Sequence, residues 1–384
     1  MRVTHVITRL IVGGAQENTI ASVLGLKEKP GLEVDLISGP TSGPEGTLEP
    51  LVSVIPRLLT ILPALVRPVQ PWNDWLALHR LVQIFRAERP DIVHTHSGKA
   101  GILGRLAARR AQVPIIVHSI HGPSFGNFQG RLSNTVYRAA ERYAGKFTSH
   151  FITVAHAMTR QYLAAGIGRP QNYTRIFSGF RLEPFTSATN DPALRARWKI
   201  APGDFVVGKI ARLFKLKGHD DLFNAAPAMV RACPGIKFLL VGGGEWQSRF
   251  ELEARELGLE KHFIFTGLVP PGEVPGLVGI MDVLVHLSLR EGLPRAVAQA
   301  CAAARPVVAY NCDGASEVCI EDETGFLLPP GDVPGLTDRV IRLANDPALR
   351  ERLGRCGQAL VQEAFSIEKM VDDQYALYLK LMNQ

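Results

Sequence analysis

Two segments of this chain combine fixed charges with glycine at the end of an apolar run. The first is Ala211-Arg212-Leu213-Phe214-Lys215-Leu216-Lys217-Gly218-His219. It follows an apolar run at 205–210, read as a strand, and precedes a helical pattern at 219–231. Arg212 and Lys217 would then leave the carboxyl end of that strand. Two cations there suit a diphosphate, and a guanidinium can take phosphate oxygens in pairs. A solvated basic loop is the competing reading. The second segment is Arg290-Glu291-Gly292-Leu293-Pro294-Arg295-Ala296-Val297-Ala298-Gln299-Ala300. It follows a strand at 282–286, and Pro294 suits the first turn of a helix. Glu291 would sit just before the helix, where it can accept hydrogen bonds from sugar hydroxyls or serve only as a cap. The first N–H groups of the helix, near Arg295 and Ala296, would face an anion. Gln299 would lie about two turns inside.

Glycine turns and histidines add candidates. Gly13-Gly14-Ala15-Gln16-Glu17 follows a strand at 2–8 and opens a helix, so its backbone N–H groups can approach a phosphate. It is not the G-x-G-x-x-G dinucleotide fingerprint, and a tight strand-to-helix turn would look the same. Gly243 stands in Val241-Gly242-Gly243-Gly244-Glu245, a permissive turn that either lines the same pocket or, as the stronger reading, is only structural. His94 and His96 alternate on a strand and share a face, but no third metal ligand is near in sequence, so no metal site is expected. His118 and His121 end the following strand. His121 is the candidate for contact with a phosphate or a sugar hydroxyl, with a structural role as the alternative.

The elements that would carry these residues alternate in type. Apolar runs at 2–8, 33–38, 91–95, 115–119, 150–154 and 174–177 read as strands of a first half. Runs at 205–210, 236–241, 263–266, 282–286 and 306–309 restart the rhythm, with helices at 219–231, 247–257, 294–304, 333–345 and 347–364. A helix at 74–88 shows Leu78, Leu81, Val82 and Phe85 at one-face spacing, with Asn73 at its start. The expected fold is α/β, two Rossmann-like doubly wound parallel sheets facing across a cleft, with ligand at the carboxyl ends of the strands. The expected division is 1–183 for an acceptor domain, 184–365 for a donor domain and 366–384 for a helix packing back on the first domain.

Composition narrows the class. At roughly 100–200 residues per domain, a chain of this length predicts two domains. The 43 Lys and Arg against 36 Asp and Glu leave a net charge of +7, without a run of five basic residues or a basic-aromatic nucleic-acid motif. Nucleic acid is therefore not an expected partner. The cysteines at 233, 301, 312, 319 and 356 are odd in number and form no C-x-x-C pair, which points to a reducing compartment. The expected location is cytoplasmic. The apolar stretch 51–66 is too short and too broken to span a membrane. Leu58, Leu59, Ile61, Leu62, Leu65 and Val66 are either core or a face for peripheral membrane contact.

Taken in order, these segments resemble the retaining glycosyltransferases of family 4, which have the GT-B fold, over nearly the whole chain. Asp91-Ile92-Val93-His94-Thr95-His96-Ser97 and His121-Gly122 resemble the family's segments in the first domain. Ala211-Arg212-Leu213 with Lys217-Gly218 resembles its diphosphate clamp, and Phe265-Thr266-Gly267-Leu268-Val269 its loop around the nucleobase. Glu291-Gly292-Leu293-Pro294 opens its E-x7-E signature, and Glu317 with Thr324-Gly325-Phe326-Leu327 resembles the downstream segment.

The resemblance implies roles. Arg212 and Lys217 would neutralise the donor diphosphate, and Glu291 would hold the transferred sugar. Backbone groups at Leu293, Arg295 and Ala296 would contact sugar and phosphates, Leu268 and Val269 the base. Gly14, beside Gly13, would lie against the phosphates, and His121 would contact sugar or phosphate. One position departs: the second glutamate of the signature is Gln299, which keeps an oxygen acceptor for ribose but loses the charge. The expected reaction moves a sugar from a nucleoside diphosphate sugar, with uridine diphosphate as the default, to an acceptor hydroxyl. It retains anomeric configuration and uses no metal or other cofactor. Glycan, glycolipid or surface-polysaccharide assembly is the implied setting, with a lipid-linked acceptor as one version. The rivals are a nucleotide-sugar-binding protein without turnover and a nucleotide-sugar epimerase of the same fold.

Overall fold

The computed structural model describes residues 1–41, 46–96, 98–126 and 128–384. Ser97, part of the first-domain motif, lies outside them, as does Asn127. The chain divides into two compact units: Met1–Phe180 with Ile367–Gln384, and Arg181–Ser366.

The first unit holds strands β1 Arg2–Ile7, β2 Glu33–Ser38, β3 Leu59–Ile61, β4 Ile92–His96, β5 Ile115–Ile120, β6 His150–Thr153 and β7 Tyr173–Arg175. They form one sheet in the order β3-β2-β1-β4-β5-β6-β7, with parallel neighbours throughout. The second unit holds β8 Phe205–Ile210, β9 Ile236–Val241, β10 Phe263–Gly267, β11 Val283–His286, β12 Val307–Tyr310 and β13 Gly325–Leu328. Their order is β10-β9-β8-β11-β12-β13, again parallel. In each unit the chain winds outward from the first strand, then restarts on its other side. The switch points fall between β1 and β4 and between β8 and β11, and that is where open parallel sheets bind ligands.

Parallel strands are covered on both faces, so they read as continuous apolar runs. That is why Phe205–Ile210 and Ile236–Val241 coincide with the bounds read from sequence. Two edge strands were not expected. Leu59–Ile61 has only three residues, two of them exposed, and Gly325–Leu328 lay hidden in a recognised motif. The helix expected at 74–88 starts earlier, at Pro71, with Gln70 rather than Asn73 at its cap position.

The apolar stretch before that helix resolves into core. Leu58, Leu62 and Leu65 are buried, packed with the sheet and the helix behind it, and Ile61 alone of the six named residues is exposed. Of the two readings of these six residues, core holds for Leu58, Leu62 and Leu65, while Leu51 and Val54 of the same stretch are 55% and 75% exposed.

The helix Ile367–Met382 packs on the first unit. Met370, Val371, Leu377 and Tyr378 join the core beneath β1 and β2. Gly25 makes the contact possible, because a Cβ there would stand 2.5 Å from a Val371 methyl. Asn18 Nδ2 donates to Met370 Sδ at 2.9 Å.

Candidate functional site

In the second unit the switch point collects most of the charged candidates. The loop after β8 carries Arg212 and Lys217, and the loop after β11 carries Ser288 and Glu291. Two features lock the loops together. Leu289 N–H donates to Leu216 O at 2.9 Å. Gly218 has φ +65°, and a Cβ there would lie 2.1 Å from Leu287 O, so only glycine allows the approach. The result is a direct pair: Lys217 Nζ donates to Glu291 Oε1 at 2.5 Å and reaches Ser288 Oγ at 3.4 Å. Glu291 is held from behind by its own N–H, which donates to Asp313 Oδ2 at 2.8 Å.

Burial pushes the Glu291 carboxyl up, but Lys217, His286 and hydrogen bonds from Lys217 and Ser288 outweigh it and hold the pKa below the usual value. His286 Nε2 lies 3.8 Å from Glu291 Oε1, and burial pushes its pKa down to about 4, so it is neutral there. Arg212 is exposed, with its guanidinium 5.7 Å from the Phe214 ring centre.

The triple glycine packs against this loop. Leu213 N–H donates to Gly243 O at 3.0 Å, and a Cβ on Gly242 would stand 2.4 Å from Ala211 O. Gly242 N–H donates to Gly267 O at 3.1 Å, and a Cβ on Gly243 would come within 3.3 Å of Leu268 N. Gly243, Arg212's loop and Leu268 are thus neighbours. Leu268 is 70% exposed, an apolar side chain left in the open beside half-buried Val269.

The helix expected at 294–304 runs Arg295–Ala302, with Pro294 just outside at the cap position. Val297, Ala298 and Ala300–Ala302 are buried, while Arg295, Ala296 and Gln299 stay half-buried on the other face, with Leu293 half-buried before them. Arg295, Ala296 and Gln299 therefore share the open face, as their i, i+3 and i, i+4 spacings require.

Sequence reasoning missed three groups here. Lys209 lies inside β8, is buried, and has a pKa pushed down to about 7, first by burial and then by Lys217. A lysine near the carboxyl end of an otherwise apolar strand was the available signal. Asp313 takes a left-handed backbone, φ +50°, to hold Glu291. His286 ends β11 and had no signal beyond its position.

In the first unit the switch point carries Glu17, in the first turn of the helix after β1. Gly13 caps the helix Gly14–Lys27, and a Cβ on Gly14 would meet nothing within 4 Å. The space over that helix end is open, so the glycine there serves no contact of the unit itself. Beside it stands a group of histidines. His5 of β1 and His94 and His96 of β4 each bring one ring nitrogen to a group in which the three lie within 4.8 Å of one another. The third histidine that the spacing of His94 and His96 lacked thus comes from a neighbouring strand, 89 residues earlier than His94 in the chain by the parallel pairing of His5 with His94.

Hydrogen bonds occupy five of the six nitrogens. His5 Nδ1 meets His96 Nε2 at 2.9 Å, and His96 Nδ1 meets His121 Nε2 at 3.0 Å. His94 Nδ1 meets Tyr378 Oη at 2.6 Å and its Nε2 meets Ser119 Oγ at 2.7 Å. This is a hydrogen-bonded stack. Burial lowers the pKa of each ring: to about 3 for His5, about 4 for His121 and well below the usual value for His94 and His96. His118 points elsewhere, with Nδ1 at 2.9 Å from Thr95 Oγ1.

Comparison with known proteins agrees with this architecture. Residues 14–177 match the family described as glycosyl transferase 4-like domain, and residues 190–359 match glycosyl transferases group 1. A GDP-mannose-dependent alpha-(1-6)-phosphatidylinositol monomannoside mannosyltransferase of Mycolicibacterium smegmatis is 30% identical over 67% of this chain and 68% of its own. A UDP-Gal:alpha-D-GlcNAc-diphosphoundecaprenol alpha-1,3-galactosyltransferase of Escherichia coli is 29% identical over 84% of this chain and 83% of its own. The crystal structure of Anabaena HepE in complex with UDP superposes with a TM-score of 0.82 at 22% identity, covering 99% of this chain and 100% of that one. The two sheets therefore define a glycosyltransferase of the GT-B fold. The chain belongs to the group 1 glycosyltransferases, with a family 4-like first domain, and it is an enzyme of that class.

Proposed function

We propose that this enzyme transfers a sugar from a UDP-sugar to an acceptor hydroxyl, with retention of anomeric configuration and without a metal ion. The observation that carries the reading is the Lys217–Glu291 pair at the switch point of the second sheet, 2.5 Å apart. A cation and a carboxylate side by side suit the junction of a diphosphate and a sugar. Lys217 and Arg212 offset charge on the departing diphosphate, and Glu291 accepts hydrogen bonds from sugar hydroxyls. The first N–H groups of the helix Arg295–Ala302 add positive potential. Those fixed charges do the work a divalent ion would do. Gly243, Leu268 and Val269 border the base, Leu293, Arg295 and Ala296 the sugar and phosphates, and Gln299 the ribose. Gly13, Gly14 and His121 of the first unit contribute to phosphate and sugar binding. The UDP complex of Anabaena HepE supports the choice of nucleotide, and the name of the mannosyltransferase keeps GDP-mannose in the test.

The acceptor is read as lipid-linked, after the diphosphoundecaprenol named for the E. coli relative, in glycan or surface-polysaccharide assembly. The helix Arg131–Gly145 supports membrane contact. Its inner face is fixed by Glu141, which pairs with buried Arg105 at 2.6 Å. Leu132, Val136 and Tyr143 are 80%, 57% and 60% exposed and fall on one outer stripe, with Arg131, Arg138 and Lys146 along its edge. No helix among the described residues is long and apolar enough to cross a membrane. Co-sedimentation with anionic vesicles, lost in Leu132→Glu with Val136→Glu, supports the contact; equal sedimentation of both proteins counts against it.

The donor reading is tested by calorimetry with UDP, GDP and their sugar conjugates, with and without chelator, followed by an assay for slow release of sugar. Chelator-insensitive binding of a UDP-sugar with release of its sugar is the expected result. Binding without release favours a protein that holds nucleotide sugars without turnover, and loss of activity in chelator refutes metal independence.

A further inference from the structure

A single exposed apolar side chain needs no account, but two large ones side by side do. The chain has four tryptophans, and two of them stand in the first turn and a half of the helix Pro71–Glu88. Trp72 is 69% exposed and Trp75 48%. Their rings stack, with centroids 5.1 Å apart and 18° between planes. His79 continues the stripe, its ring centre 4.1 Å from that of Trp75 at 45°. The i, i+3, i+7 spacing turns all three away from Ala77, Leu78, Leu81 and Phe85, which face the core. Trp75 thus stands between two rings, and the open face of the stack belongs to Trp72.

Hydrogen bonds fix the turn that carries the stack. His79 Nδ1 donates to Trp75 O at 2.9 Å. Gln70 N–H donates to Asp74 Oδ2 at 3.2 Å, and Asn73 Nδ2 donates to Gln70 Oε1 at 2.5 Å. Lys99 clamps the same turn: its Nζ donates to Val66 O at 2.7 Å and to Pro68 O at 2.5 Å, and it pairs with Asp74. Lys99 stands at the start of the helix Gly98–Arg110, which follows β4, and the helix Pro71–Glu88 follows β3. The clamp therefore holds the rings at the carboxyl end of the first sheet, toward its β3 edge. That is the end at which open parallel sheets bind ligands.

We propose that Trp72, backed by Trp75, is a stacking platform for a pyranose ring of the acceptor. The apolar C–H face of a sugar covers an indole face, while its hydroxyls need donors and acceptors around the rim. Gln70, Asn73 and His79 supply amide and imidazole groups there, and the carboxylate of Asp74 is taken up by Lys99. The helix Arg131–Gly145 gives the contrast. Its stripe sets aliphatic Leu132 and Val136 beside three cations, which suits acyl chains and anionic headgroups. Flat rings beside amides suit an uncharged, hydroxylated ring instead. Indoles lose little freedom on contact, and a pair already stacked is ordered before the ligand arrives. The choice of the acceptor as bearer of that ring rests on the transfer proposed above. The platform itself does not.

The test is proton–nitrogen NMR of the full chain labelled at the indole nitrogens of its four tryptophans, with Trp72 and Trp75 assigned by loss of their signals in Trp72→Ala and Trp75→Ala. The probes are the methyl glycosides of glucose, galactose, mannose and N-acetylglucosamine, with glycerol as a polyol that lacks a ring face. The expected result is a saturable shift of the Trp72 signal with at least one glycoside and none with glycerol, while Trp198 stays in place. In Trp72→Ala the Trp75 signal answers the same glycoside with about tenfold weaker affinity, the loss of one stacking contact. Trp72→Phe, which keeps a ring, recovers part of that loss. No saturable shift with any of the four glycosides overturns the proposal. So does an affinity unchanged in Trp72→Ala. A shift with vesicles of phosphatidylcholine and phosphatidylglycerol, beside none with glycosides, overturns it in favour of a membrane face. The donor calorimetry reads the transfer proposal separately. UDP-sugar binding without a Trp72 response refutes the platform alone, and a Trp72 response without UDP-sugar binding keeps the platform and refutes the donor reading.

Discussion

The two switch points handle polarity in opposite ways. In the second unit the site is built from ions: Lys217 against Glu291, with Lys209 buried close behind and Arg212 in front. In the first unit the corresponding place between β1 and β4 is filled with neutral rings that satisfy one another. Full charges stabilise charge that develops in a reaction, and neutral hydrogen bonds orient a group without perturbing it. Under the proposed function, the difference gives the chemistry to the second unit and positioning to the first.

The largest effect expected follows from that assignment. Lys217→Ala should lower kcat/KM for transfer on the order of 100- to 1,000-fold, as loss of one electrostatic stabiliser does. His121→Ala, which removes a neutral hydrogen bond of about 1 kcal/mol, should lower it by roughly fivefold. Steady-state kinetics with the donor found by calorimetry measures both, and the reverse order would break the comparison.

Stability against pH separates the regions next. His5 and His121, with folded pKa values of about 3 and about 4, remain neutral while the unfolded chain takes up protons below about 6.5. Stability is full above that pH and is lost as pH falls, with His219 and His286 of the second unit adding to the loss. Lys209, at about 7 in the folded protein against 10.5 unfolded, acts in a higher window, so its contribution rises between those values. Each group changes the slope by up to about 1.4 kcal/mol per pH unit. Denaturant midpoints from pH 4 to 10 read this. Lys209→Met should flatten the upper window and soften the lower one only through His219 and His286, whose pKa values Lys209 helps to hold down, and an upper window unchanged in the variant would count against the assignment.

The smallest effect belongs to Gln299. Restoring a carboxylate in Gln299→Glu should tighten UDP binding about fivefold, the worth of about 1 kcal/mol in a better ribose hydrogen bond. Calorimetry that shows no change would mean that Gln299 faces no hydroxyl.

The sequence made the second unit more legible than the first. Arg212, Lys217 and Glu291 lie in loops directly after strands and Gln299 on the helix that follows, where order along the chain predicts position. The histidine stack is different. His5 and His94 pair across β1 and β4, and Tyr378 reaches His94 from the end of the chain, so no local spacing announces them. The same holds for Asp313, whose role depends on a turn that meets Glu291 across 22 residues. Short edge strands failed for a related reason, since three residues with two exposed carry no period to read. The exposed stripe on Arg131–Gly145 was missed because apolar residues at helical spacing normally mean core, and only the burial of Glu141 opposite shows which face is inward.

The helix Ile367–Met382 has a consequence for how the protein is made. It completes the core of the first unit, and Tyr378 Oη satisfies His94, yet it is translated only after the whole of the second unit. During synthesis the first sheet waits with an open apolar flank while an entire domain is threaded out behind it. The second unit, Arg181–Ser366, has its sheet and core within one continuous stretch and can close first. The order of folding is then the reverse of the order of emergence, and the nascent first unit is the stage most exposed to chaperones.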